Sequence, residues 1–352
     1  MTDPAMKELL ERFRGREQVP AVAAALVGAD GIVESAVSGV RRRCTADEVT
    51  MSDAWHIGSC AKTMTAVLWA RLVEHDLARW NMPLAEALGC PRGRVHADWA
   101  GQTVDDALRW HAGVRPNLAP SAMRQAWADS RPFEDQRFDI AARVVASPPR
   151  RPGRFAYSNL SYMLVAAAVD RLAPMPFETA LGAYVLQPLR ISSAGFGAPA
   201  RVLGHRSRIR LGPVRALPGA PVVASHPMSD NPPVMSAAGT VHINIEDWAR
   251  FVGIFLRDNS TALCSGKPFL QPETVEHLLT PVTARPVSAA MGWMATDKSA
   301  AFSYAMQGSN TLWSATAGLD SDRGRGVVVA ANDGRSRVLR AMARLALQLL
   351  QA

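Results

Sequence analysis

The chain has 352 residues, 48% of them hydrophobic, four cysteines, and a formal charge of +8 from 39 Lys and Arg against 31 Asp and Glu. This is enough to bury one large core or two modest ones, and it excludes a disordered or repeat-built chain. Lysine is confined to Lys7, Lys62, Lys267 and Lys298, and the arginine clusters "GVRRRC", "PPRRPGR" and "RVLGHRSRIRLGPVR" are not interleaved with aromatics, which argues against nucleic acid as a partner.

The opening segment "MTDPAMKELLERFRGREQVP" is polar and helix-like, without a basic-then-apolar leader, and no stretch approaches a membrane span. A cytoplasmic protein with no membrane partner is expected. Next, "AVAAALV" and "GIVESAVSGV" flank Gly28, Ala29, Asp30 and Gly31, predicting a β-hairpin with a four-residue turn.

The stretch "WHIGSCAKTMTAVLWARLVEHDLARW" sets Ser59 and Lys62 three apart at the mouth of an apolar helix. Residues at that spacing share a helix face. The Ser59 hydroxyl would sit near unsatisfied N–H groups and the positive end of the dipole, while burial would lower the pKa of Lys62 until it can take a proton from Ser59. The simpler reading is a serine N-cap followed by a snorkelling lysine. Cys60 beside Ser59 points about 100° away on the helix and reads as a buried, inert thiol. His56 and His111 lack a carboxylate at suggestive spacing and read as structural or rim residues.

Helical patterns dominate residues 78–230, with a start marked by Thr103 and Asp106 and a later one by Asn244 and Asp247. Within this part, "RFAYSNLSYMLVAAAVDRLA" puts Tyr157 and Asn159 in a turn before a second apolar helix. The phenol suits proton relay and the carboxamide can hold Lys62 by hydrogen bonding. Adjacent positive charge would favour the ionised phenol. Arg201, Arg206, Arg208 and Arg210 read as a solvated loop, with steering of an anionic substrate as the alternative.

Toward the C-terminus, "YAMQGSNTLWSA" reads as a strand entry where Gly308 allows close backbone approach and Ser309 offers an N–H. Paired with the N–H of Ser59, that amide would make a two-donor oxyanion hole. "TLWSATAGL" and "GRGVVVAAN" predict antiparallel strands around "DSDR", and Val338, Leu339, Met342, Leu345 and Leu349 recur at helical spacing in the closing segment. Cys44, Cys60, Cys90 and Cys264 are scattered without a C-x-x-C pair, so reduced thiols and no metal site are expected.

These three segments, in this order and spacing, resemble the serine β-lactamase-like superfamily, in its class C β-lactamase and esterase branch of penicillin-binding-protein-like serine hydrolases. "TVDDALRWHAGV", "FETALGAYVLQPLRISSAGFG", "NPPVMSAAGTVHINIEDWARFVGIF" and "MGWMAT" extend the resemblance over nearly the whole chain. It implies an α+β fold: an antiparallel sheet flanked by helices and built from both termini (1–77 and 231–352), a mainly helical domain (78–230), and an active site at their interface.

The resemblance further implies that Ser59 is the acylated nucleophile, that Lys62 and Tyr157 share acid/base work, that Asn159 orients, and that the backbone of Ser59 and Ser309, beside Gly308, binds the oxyanion. No cofactor is implied. The expected substrate is a small-molecule ester or amide, with an acyltransferase and a catalytically weak ligand-binding homologue as alternatives. One position departs from the pattern: Met306 stands where these families usually have Lys or His. A thioether cannot pair with a substrate carboxylate.

Overall fold

A computed structural model describes residues 4–207, 218–256, 268–284, 287–296 and 302–351. Strands β1 (Ala21–Gly28) and β2 (Gly31–Gly39) form the N-terminal hairpin. Its turn is tighter than the four residues expected. Gly28 pairs with Gly31, leaving Ala29 and Asp30 to reverse the chain, and a register shift at Leu26/Val27 absorbs the odd residue. Two-residue connections suit the twist of paired strands.

Further along come β3 (Ala54–His56), β4 (Gly195–Phe196), β5 (Gly204–Ser207), β6 (Pro218–Val222) and β7 (Val241–Asn244), which make a three-stranded sheet in the order β3-β7-β4 and a β5-β6 pair. The main sheet is completed by β8 (Val282–Ala284), β9 (Val287–Ala289), β10 (Met294–Ala295), β11 (Tyr304–Ser309), β12 (Ser314–Asp320) and β13 (Arg325–Ala331). Its eight strands run β2-β1-β13-β12-β11-β10-β9-β8. Antiparallel pairing of β1 with β13 joins the two ends of the chain in one sheet.

Both faces of that sheet are covered. Along β1, Ala21, Ala23, Ala25 and Val27 enter one apolar cluster and Val22, Ala24 and Leu26 the other, the period-two alternation of a strand buried on both sides. This is why β1 reads as a continuous apolar run. The terminal helices Pro4–Glu17 and Ser336–Gln351 cover the second face through Met6, Leu10, Phe13, Val338, Met342, Leu345 and Leu349. Leu339 is only half-buried.

The larger cluster holds the apolar helices Ala61–Glu74 and Asn159–Leu172. Thr103 and Asp106 form a reciprocal capping box. Asn244 caps its helix through Asp247 N–H, but Asp247 turns its own carboxylate to Ser192 and Ser193 instead of completing a box. Among the described residues no helix is long and apolar enough to cross a membrane, and no cluster of three or more His, Cys, Asp or Glu is placed to hold a metal. Part of the basic "GVRRRC" cluster is structural, because buried Arg41 pairs with Asp53 at 2.9 Å. Arg206 is exposed on β5; Arg208, Arg210 and Cys264 lie outside the described residues.

Candidate active site

Ser59 lies in one 3-10 turn, Gly58–Cys60, that runs into the helix Ala61–Glu74. No side-chain cap closes this start, so Ser59 is not the N-cap of the simpler reading. Gly58 has φ +51°, a left-handed conformation open to glycine without steric cost. The end of β11 crosses this turn in backbone contact. A Cβ on Gly308 would lie 2.0 Å from the Ile57 carbonyl oxygen and 2.7 Å from the Ser59 nitrogen, and one on Gly58 would lie 2.5 Å from the Ser309 nitrogen. Glycine on both sides is what brings the Ser59 and Ser309 backbones together.

From Ala61 to Ala70 the helix is buried on every side, and Lys62 is fully inaccessible. Loss of hydration lowers the Lys62 pKa from 10.5 to about 7. Its Nζ lies 2.5 Å from Ala238 O, 2.7 Å from Asn159 Oδ1 and 3.2 Å from Ser59 Oγ. The first two oxygens only accept. A neutral amine therefore uses both N–H groups on them and turns its lone pair to the Ser59 hydroxyl. The rings of Tyr157 and Tyr162, 5.0 and 5.6 Å from Nζ, favour the cation, but burial outweighs them.

Tyr157 packs against Trp110, with tilted rings whose centroids are 5.1 Å apart, and meets the Ser59 hydroxyl. Burial pushes its phenol up to about 12, against the smaller downward pull of the Ser59 hydrogen bond. The expected preference for the ionised phenol is not met: desolvation of the anion outweighs the hydrogen bond with Ser59. The Tyr157 phenol is therefore held in its neutral form. Asn159 begins its helix beside the cap Ser158, and its Nδ2 donates to Asn117 Oδ1 at 2.7 Å. That bond orients the carboxamide so that its oxygen faces Lys62.

On β11, Met306 and Gly308 are buried, while Gln307 turns to the opposite face and donates to Leu339 O at 2.9 Å. Met306 is 3% exposed and packs in the core shared with the Ala61–Glu74 helix. The Ser309 hydroxyl donates to Trp313 O at 2.6 Å and accepts from Thr311 N–H at 3.0 Å. It is therefore held away from substrate chemistry, leaving the backbone at the turn.

Cys60 is buried with Sγ 3.5 Å from Met306 O, and burial raises its pKa, so it stays a thiol. His111 Nδ1 donates to Arg109 O at 2.7 Å. His56 departs from expectation. It is fully buried and has a carboxylate partner after all, Asp230 at 2.9 Å from Nε2. Spacing along the chain does not show a pair so far apart.

Sequence reasoning also missed Asn117 and the Ala238 carbonyl, for which a main-chain oxygen leaves no signature. Ala238 sits in the short helix Ser236–Gly239, anchored where Ser236 Oγ donates to Glu178 Oε1 at 2.6 Å. Glu178 and Asp170 in turn clamp the buried Arg137.

No curated protein matches the sequence. Among solved structures, SurE with D-Leu superposes with TM-score 0.77 at 21% identity over 98% of this chain and 75% of that one. An octameric penicillin-binding protein homologue from Pyrococcus abyssi gives 0.73 at 16% identity over 98% and 76%. These likenesses show a shared β-lactamase/transpeptidase-like fold. The Beta-lactamase family model matches residues 6–351. With that match spanning almost the entire chain, this protein belongs to the beta-lactamase family, whose members are mostly serine hydrolases and acyltransferases.

Proposed function

We propose that the protein is a serine hydrolase that forms an acyl-enzyme at Ser59 on an uncharged carboxylic ester or amide of a small molecule. The observation that carries this reading is the Lys62 amine, sealed from water and 3.2 Å from Ser59 Oγ, with its other contacts made only to acceptors. In this mechanism Ser59 Oγ attacks the carbonyl carbon as its proton passes to Lys62. The oxyanion of the tetrahedral intermediate is held by the N–H groups of Ser59 and Ser309. Tyr157 protonates the leaving oxygen or nitrogen as its bond to carbon breaks, and is reprotonated through Lys62. Water then enters by the reverse sequence and frees the acid.

A fluorophosphonate or an activated ester is expected to add one label to the intact protein by mass spectrometry, and Ser59→Ala is expected to take none. Labelling that survives Ser59→Ala would place the nucleophile elsewhere.

Buried Met306 supports the uncharged substrate, since β11 offers no cation to a carboxylate. Wild type should turn over a p-nitrophenyl ester with higher catalytic efficiency than a chromogenic cephalosporin. Met306→His should narrow that gap by about tenfold, the worth of a charge-assisted hydrogen bond. If the wild type prefers the cephalosporin and the histidine changes nothing, Met306 does not set substrate class.

A further inference from the structure

The two N–H groups assigned to the oxyanion belong to segments far apart in the chain, and the Gly58–Cys60 turn is not a strand of the sheet that holds Ser309. A side-chain path joins them. The Gly58 N–H donates to His56 Nδ1 at 3.1 Å, so that nitrogen carries no proton and the imidazole is the Nε2–H tautomer. Nε2 then donates to Asp230 Oδ2 at 2.9 Å. The second carboxylate oxygen, Oδ1, accepts from Asn310 Nδ2 at 3.0 Å and from the Asn231 N–H at 2.7 Å. Asn310 Oδ1 accepts the N–H groups of Leu312 and Trp313, both at 3.2 Å.

The path therefore starts at the residue before Ser59 and ends at the residue after Ser309. It is also rigid. The His56 ring is sealed from solvent and stacked on Trp313 with centroids 5.5 Å apart and planes 26° from parallel. Trp313 is itself tied to Ser309, whose hydroxyl donates to its carbonyl at 2.6 Å. Each atom in the path has a partner of the right sense, as a buried polar network requires if it is to rigidify its surroundings.

We propose that His56, Asp230 and Asn310 form a positioning strut that sets the separation of the Ser59 and Ser309 N–H groups, and so the fit of the oxyanion hole. The inference rests on the reading of Ser59 as nucleophile. The three residues act through the two backbones, and displacing either donor weakens its bond to the oxyanion more than it weakens ground-state binding.

The test uses His56→Gln, which keeps reach to Asp230 and loses the acceptor for Gly58 N–H, together with Asp230→Asn and the half-exposed Asn310→Ala. Active sites are first counted by fluorophosphonate titration. Then kcat and KM for a p-nitrophenyl ester are measured per titrated site, with the affinity for a boronic acid that forms a tetrahedral adduct on Ser59. A drop in kcat of about 10- to 100-fold at unchanged KM, with boronate affinity weakened by the same factor, is expected for each variant.

Fewer titratable sites with kcat per site and boronate affinity unchanged would make the path merely structural and overturn the strut. Full titration with both quantities unchanged would overturn it as well. A wild type that takes no label at Ser59 fails earlier, and removes the nucleophile reading and the strut together.

Discussion

Lys62→Ala should lower kcat/KM by about 10³- to 10⁴-fold and Tyr157→Phe by about 10²- to 10³-fold, with the double variant little worse than Lys62→Ala alone. The reason is geometric. Both groups meet the same hydroxyl, Lys62 Nζ at 3.2 Å from Ser59 Oγ and the Tyr157 phenol through a hydrogen bond to it. In the proposed mechanism a proton taken by one is passed on through the other, so removing either should stop the same transfer.

The pH profile supplies a second check on the same unit. Burial holds Lys62 at about 7, and only the neutral amine has a lone pair for the Ser59 proton. Activity should therefore be lost as pH falls through about 7, appearing as an acid limb in kcat/KM. Tyr157, pushed up to about 12, stays protonated across that range and adds no limb there. Independent, multiplying losses would refute the shared role, and a profile flat through neutrality would show that Lys62 is not the group that takes the proton.

Gly308→Ala should damage stability and acylation together. Its Cβ would meet the Ile57 carbonyl oxygen at 2.0 Å and the Ser59 and Cys60 nitrogens at 2.7 and 2.9 Å. All three are main-chain atoms, which cannot swing aside as a side chain can. Strand and turn must separate, at a cost of about 1–3 kcal/mol in stability for the overpacking. The acylation rate should fall about 100-fold, because the nucleophile and the Ser309 N–H move apart.

Gly15→Ala is the control. Gly15 is within the Pro4–Glu17 helix with open space where a Cβ would go, so alanine there should raise stability by up to about 1 kcal/mol and leave acylation alone. Urea denaturation and the rate of fluorophosphonate labelling on both variants decide the matter. A Gly308→Ala protein as stable and as reactive as Gly15→Ala would show that the backbone contact is not what assembles the site.

Much of the fold is legible where the determining interactions are short-range. The apolar runs on either side of residues 28–31, the Thr103 capping box and the closing helix are local patterns, and they form at those positions. Even there, the turn narrowed to Ala29 and Asp30, because the cross-strand register could shift at Leu26/Val27 and let the glycines pair. Proximity of Ser59 to Lys62 is likewise local, since residues three apart meet on one helix face.

Other features depend on chain segments that meet only after folding. Burial on all sides of the Ala61–Glu74 helix, which brings Lys62 to about 7, comes from packing in the common core with the Asn159–Leu172 helix. The same burial reversed the expected ionisation of Tyr157, because a sequence displays neighbouring charge but not the loss of water that opposes it. By itself the sequence determined the residue types and local periodicities that make a nucleophile and its base possible. Tertiary structure alone decided their solvation, the main-chain partner at Ala238 and the His56–Asp230–Asn310 path, since hydration and long-range hydrogen bonds are properties of the assembled core.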